Sequence, residues 1–283
     1  MSGLPDLEGK VAVVTGGASG IGRGIAGQLR AEGMQVVIAD IEEEAMRQTA
    51  SELGAVGIQT DVSSVESVRS LAAAVVERYG AVHVVCNNAG IGPWARIADL
   101  TIDDWRWMVG VNLWGVIHGV HTFLPILLRN PDGGHIVNTA SMAGLAPTTQ
   151  LGAYVTCKFG VVGLTETLAL ELAEDGAKVG VSVLCPGPIH TNIGNSSRNR
   201  PAHLSEVGFA DVRLEDQARE RPGFEWVEPD QAGAVVVDAI RTGKLYALTH
   251  PGAGGGVQRR LEQLVGAFEQ AQRERPRPKE VAR

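Results

Sequence analysis

The chain has 283 residues, 44% of them hydrophobic and 20% charged, with 36 glycines. That is enough to bury a large core, argues against disorder over most of the length, and suits an α/β protein with many tight strand-to-helix turns. A formal charge of −7 and a pI near 5.5 argue against a nucleic-acid or other polyanion partner, which calls for a basic surface.

The first ten residues hold no basic region followed by an apolar stretch, and no run along the chain approaches eighteen apolar residues. The expectation is a soluble cytoplasmic protein with no export signal and no membrane span. Val11 to Thr15 is a β-branched run closed by a glycine turn, and Ile21 to Glu32 carries helical spacing, which reads as strand, turn, helix. Met34 to Asp40, Ala55 to Thr60 and Ala81 to Cys86 repeat the strand signature and alternate with helical patterns over Glu42 to Leu53 and Val65 to Tyr79. Such alternation predicts a parallel sheet with helices on both faces and right-handed crossovers. Thr101 opens a longer helix, with Asp104 as its capping partner, that runs to about Arg129; its broad apolar face suits either an ordinary core helix or one packed on both the sheet and a partner subunit. His135 to Thr139 is strand-like and leads into Ser141, Gly152 to Ala173 is helical, and Lys178 to Leu184 is a strand followed by the turn Pro186-Gly187.

From about Thr191 to Trp226 the periodicity is lost in a polar, charged, proline-broken stretch that reads as a mobile flap. Pro229 to Arg241 returns to helix, Leu245 to Thr249 to strand, and a glycine cluster leads to a last helix near Val257 to Ala271. The Arg/Pro-rich end, Arg273 to Arg283, reads as a disordered tail. The sum is one α/β domain over residues 1–256, a doubly wound parallel sheet of about seven strands, followed by a helix and tail over 257–283. Cys86, Cys157 and Cys185 have no metal-ligand spacing and read as reduced structural thiols.

Two constellations carry chemistry. Tyr154 and Lys158 stand at i and i+4 in a predicted helix, thirteen and seventeen positions after Ser141, so ammonium and phenol share one helical face. A unit charge at about 4 Å and an effective dielectric of ~20 favours the phenolate by roughly 4 kcal/mol, on the order of three pKa units, which would bring a tyrosine close to neutral pH. The second is TGGASGIG, Thr15 to Gly22, set between the first strand and the first helix. Gly16, Gly20 and Gly22, with Ser19 and Ile21 between them, let backbone N–H groups and a helix start approach a pyrophosphate. Asp40, at the end of the second strand, is placed to bind both hydroxyls of an adenosine ribose and to repel a 2′-phosphate. No Lys or Arg directly follows it, which favours NAD over NADP. Asp61 and Val62 could receive the adenine, and Asn88, Ala89 and Gly90 could support the adenosine end.

The glycine run, Asn87-Asn88-Ala89-Gly90, Asn112, Ser141, Tyr154-x-x-x-Lys158 and Pro186-Gly187 together resemble the short-chain dehydrogenase/reductase family in order and spacing, over roughly residues 7 to 250. The resemblance implies a single Rossmann-type domain, usually in a dimer or tetramer, that transfers hydride between a nicotinamide and a carbonyl or alcohol. It implies that Ser141 binds the substrate oxygen and Tyr154 is the general acid/base. Lys158 would bind the nicotinamide ribose and lower the Tyr154 pKa, and Asn112 would hold a water linking Lys158 to solvent. Pro186, Gly187, Ile189 and Thr191 would lie along the nicotinamide. Ile91, Pro93, Trp94, Met142, Ala143, Leu145, Pro188 and Ile189 would then surround the reacting centre, an apolar set that suits a medium or bulky secondary alcohol or ketone.

Other readings stay open at this point. His118 and His121 have no acidic partner at metal-ligand spacing, and Ser141 lacks a G-x-S-x-G setting for acyl hydrolysis. A nucleotide-sugar epimerase or dehydratase can also use Tyr-x-x-x-Lys but calls for a larger C-terminal domain. A non-catalytic NAD-sensing protein has no use for the full proton path.

Overall fold

A computed structural model describes residues 2–212 and 225–274. The chain divides into two compact units, Met1–His250 and Pro251–Arg283. The first contains a sheet of seven parallel strands in the order β3-β2-β1-β4-β5-β6-β7. In chain order the elements are β1 (Val11–Thr15), α1 (Gly20–Ala31), β2 (Gln35–Asp40), α2 (Glu43–Leu53), β3 (Val56–Gln59), α3 (Val65–Tyr79) and β4 (Val84–Asn87). There follow α4 (Ile102–Val109), α5 (Gly115–Arg129), β5 (Gly134–Thr139), α6 (Gly152–Glu174), β6 (Val179–Cys185), α7 (Pro229–Thr242) and β7 (Tyr246–Leu248). The second unit carries α8 (Gly255–Glu274). The tail predicted from Arg273 onward lies outside the described residues from 275 to the end, and Arg273 itself closes α8.

Alternation along each strand divides the core in two. Val11, Val13, Val37 and Ala39 face one layer with Leu71 and Val75 of α3, Phe123 and Leu127 of α5, and Val161 and Leu172 of α6. Ala12, Val14, Val36 and Ile38 face the other with Ile25 and Leu29 of α1, Met46 of α2, and Val236 and Ile240 of α7. The strands are buried on both faces, which is why they read as continuous apolar runs. This is the doubly wound Rossmann-type arrangement. Helices α1 and α7 approach closely because Gly24 has no side chain: a Cβ there would stand 2.1 Å from the Pro229 carbonyl oxygen.

The helix expected over Thr101 to Arg129 is continuous in direction but not in winding. Thr101 and Asp104 form the reciprocal capping box, and between α4 and α5 a π-helical turn, Gly110–Trp114, holds Asn112. The stretch Ile102–Arg129 contains an 18-residue window with a mean hydropathy of 1.4 that is long and apolar enough to cross a membrane by length and composition, although no unbroken run of eighteen apolar residues occurs. In the fold it packs on β4, β5, α3 and α6 as one layer of the α/β sandwich.

Strand order reverses between β1 and β4. The connections from β1 and from β4 leave in opposite directions, which opens a crevice at the carboxyl ends of these strands, the place where open α/β sheets bind ligands.

Candidate active site

The turn after β1 builds one wall of that crevice. Gly16 has φ +63, and a Cβ on it would lie 2.7 Å from Ala89 Cα, so only glycine lets the β1 and β4 turns meet. Thr15 fixes the contact: its Oγ1 accepts from the N–H groups of Asn88 (2.9 Å) and Ala89 (3.1 Å). Asn88 Nδ2 returns a bond to the Thr15 carbonyl at 3.1 Å. Gly16, Ser19, Gly20, Ile21, Asp40, Asp61, Val62, Asn88, Ala89, Gly90, Tyr154, Lys158, Pro186 and Thr191 all line one continuous cleft. Gly22 does not reach its wall; it packs against the Gly16 carbonyl.

Asp40 is 8% exposed, which removes it from the class of solvated strand-end acids. One carboxylate oxygen accepts from Ala18 N–H at 3.0 Å and the other from Glu42 N–H at 3.1 Å. Burial raises its pKa, and these backbone bonds oppose the rise. Asp40 therefore also staples the glycine turn to β2, a role not visible in the sequence. Asp61 accepts from the N–H and hydroxyl of Ser63, and the Val62 carbonyl meets His118 Nδ1 at 2.9 Å.

At the other end of the cleft lie the proton-handling groups. Ser141 ends the excursion from β5 and is 9% exposed. Its Oγ accepts from Ala143 N–H at 3.1 Å, donates to the Pro186 carbonyl at 3.5 Å, and hydrogen-bonds the Tyr154 phenol. Lys158, 2% exposed, donates from Nζ to the Thr139 carbonyl at 2.8 Å and sits 5.4 Å from the centre of the Tyr154 ring. Ser141, Tyr154 and Lys158 are thus brought together as the helical spacing required.

The electrostatics correct the sequence reading. Burial pushes the Tyr154 phenol up to about 12, with the Ser141 hydrogen bond opposing, and the same burial pulls Lys158 down to about 8. The expected lowering by the neighbouring ammonium is not among the causes of the shift, which burial dominates; the ammonium is turned onto the Thr139 carbonyl. Asn112 sits on the π turn between α4 and α5. It is fully buried, its Oδ1 accepts from Ile91 N–H at 2.9 Å and its Nδ2 donates to the Ile91 carbonyl at 2.8 Å. The side chain thus clamps Ile91, and Nδ2 also meets Met108 Sδ at 2.8 Å.

Gly187 and Ile189 stand behind the cleft wall. Gly187 N–H donates to Thr249 Oγ1 and His250 Nδ1, both at 3.2 Å; Ile189 is buried with Val227, Ala232 and Ile21. Of the apolar residues expected at the reacting centre, Ile91 lines the cleft. Met142 and Leu145 pack toward the main core, and Trp94 pairs with Ala210 through two backbone bonds. Trp107, Val111, Ile193 and Pro201, none of them singled out by sequence, complete the apolar wall.

Of the flap expected over 191–226, residues 191–212 and 225–226 are described. Asn192–Asn199 forms a 3-10 helix, and residues through 212 are described; 213–224 lie outside the described residues. Arg200 buries its guanidinium against the rings of Trp107 and Phe209, 5.4 and 4.9 Å from their centres, and pairs with Asp104 at 2.8 Å. Among the described residues no cluster of three His, Cys, Asp or Glu side chains could hold a metal. The three cysteines are buried and unpaired.

The family model for short chain dehydrogenases matches residues 10–202, most of the chain and all of the site just described. The chain belongs to the short-chain dehydrogenase/reductase family. It is an oxidoreductase of that family. A crystal structure of a family member from Burkholderia phymatum in complex with NAD is 36% identical, covers 98% of this chain and 99% of its own, and superimposes with a TM-score of 0.87. A 3beta-hydroxysteroid dehydrogenase from Eggerthella lenta is 36% identical over 82% of this chain and 92% of its own length. A C alpha-dehydrogenase from Sphingobium is 30% identical over 93% of this chain and 87% of its own.

Proposed function

We propose that this family member is NAD-dependent and interconverts a medium or bulky, largely apolar secondary alcohol and the corresponding ketone. The observation that carries the reading is the pairing of Tyr154 and Lys158 at one end of a cleft, with Ser141 hydrogen-bonded to the phenol from behind the wall, and Asp40 beside the glycine turn at the far end. Asp40 favours a free 2′-hydroxyl over a phosphate. Arg198, the one guanidinium on the cleft wall among the described residues, is already engaged by Glu42. Ile91, Trp107, Val111, Ile193 and Pro201 supply the apolar surface, in keeping with a relative named as a 3beta-hydroxysteroid dehydrogenase.

The bound nicotinamide would supply the carbon that gives or takes hydride. This chain's residues handle the oxygen and the proton. Ser141 orients the substrate oxygen by hydrogen bonding, and Tyr154, protonated at neutral pH, delivers its proton to that oxygen in reduction, while in oxidation its phenolate form receives the alcohol proton. Lys158 steadies the phenolate left behind. Trp114, Leu128 and Leu170 are large exposed apolar residues on the π turn, α5 and α6, which supports a dimer or tetramer joined through those helices.

Tyr154→Phe tests the assignment. It should lower kcat by about 10²- to 10⁴-fold while NADH affinity, read by fluorescence, stays near wild type. Retained turnover would refute the role.

A further inference from the structure

The segment that follows β6 runs along the cleft and is tied to two of its walls by arginines two positions apart. Arg198 reaches the Glu42 carboxylate with Nη2 at 2.6 Å and Nε at 3.3 Å, and Asn199 Nδ2 adds a bond to the same carboxylate at 2.9 Å. Glu42 lies just beyond Asp40. Arg198 Nη1 also donates to the Asn192 carbonyl at 3.2 Å and to that of Asn195, so the guanidinium closes the 3-10 turn and grips the start of α2 at once. Arg200 turns to α4, where Nη1 stands 2.8 Å from Asp104 Oδ1 in an ion pair; neither atom makes a hydrogen bond among the described residues, so each buried atom relies on the opposite charge.

The two ties differ in strength. Arg198 and Glu42 side chains are each 31% exposed, and a pair that water and salt can reach is easily opened. Arg200 and Asp104 are 8% and 2% exposed, and separating them would leave uncompensated buried charges. Glu42, Arg198 and Asn199 line the same cleft as Gly20 and Asp40, so the weak tie bridges the ribose-binding end and the strong one holds the segment's far side.

We propose that Glu42 and Arg198 form a latch over the dinucleotide cleft, pivoting on the fixed Arg200–Asp104 pair, and that the latch sets how fast the dinucleotide leaves. This rests on the dinucleotide reading of the cleft given above. Release requires the Glu42–Arg198 contact to break, whereas hydride transfer does not.

The test is stopped-flow release of NADH from the full-length protein, followed by fluorescence from low to high KCl. Wild-type release should accelerate with salt. Arg198→Met and Glu42→Gln should each release NADH about fivefold faster at low salt, the effect a half-exposed ion pair supports, and lose most of the salt dependence. Arg198→Lys, which keeps the charge, should restore part of both. Tight NADH binding with unchanged release and salt slope in the Met and Gln variants overturns the latch alone. Absence of NADH binding by the wild type overturns the dinucleotide reading and the latch with it.

Discussion

Lys158 is a buried cation, and the fold pays for it in a way that can be measured. Burial draws its pKa down from 10.5 to about 8. Below pH 8 folded and unfolded chains both carry the proton, so the full penalty of burying the charge is present. Between 8 and 10.5 the unfolded chain binds a proton that the folded chain has released, so this group's contribution makes stability rise with pH. At 1.36 kcal/mol per unit, and with most of the rise above pH 8, the interval from pH 7 to 9.5 is worth about 2 kcal/mol. The upper bound matters, because Tyr154 works in the opposite direction: its phenol is pushed up to about 12, and stability falls once the unfolded tyrosine ionises near pH 10. Lys158→Met removes the titration. It also leaves the Thr139 carbonyl without its donor, a loss that does not depend on pH. Urea unfolding of wild type and variant at pH 7 and pH 9.5 should therefore show their stability difference moving toward the wild type by about 2 kcal/mol as pH rises. Parallel pH dependence in the two proteins would refute the buried, depressed cation.

Two further outcomes follow from the geometry. Asp40→Ala removes the acceptor for Ala18 and Glu42 N–H groups and the charge facing the ribose; NADH should bind about tenfold more weakly, the scale of a charge-assisted hydrogen bond, and the preference for NADH over NADPH should narrow in parallel titrations. Gly24→Ala places a Cβ 2.1 Å from the Pro229 carbonyl oxygen; the helices α1 and α7 must part, and thermal or urea unfolding should show a loss of about 1–3 kcal/mol with the same cleft chemistry.

Much of this architecture was legible because it is written locally. Strand, glycine turn and helix recur in sequence as they do in space, and Tyr154 and Lys158 share a face because helical periodicity alone places them there. The misses are of another kind. The π turn around Asn112 interrupts no apolar pattern and contains no proline, so nothing in the sequence marks it. Glu42 and Arg198 lie 156 positions apart, and Arg200 finds Asp104 only after β6 and α4 have been brought to the same cleft. Glu42, Arg198 and Arg200, taken alone, each read as a solvated charge in a polar stretch, and Asp104 reads only as a helix cap.

Tyr154 shows the limit most clearly. Spacing identified its neighbour correctly, yet spacing carries no information about how much water remains around the pair. Once the phenol and the ammonium are both withdrawn from solvent, desolvation opposes each charged form, and it raises the phenol to about 12 while lowering the ammonium to about 8. The two shifts drive the proton affinities of phenol and ammonium apart, to about 12 and about 8. From a separation of about 0.5 unit in the reference values, 10.0 against 10.5, the order has been reversed in favour of keeping the proton on Tyr154. A phenol that holds its proton at neutral pH beside an ammonium ready to lose one is an arrangement suited to protonating a substrate oxygen, and alcohol oxidation by the same site should accelerate as pH rises.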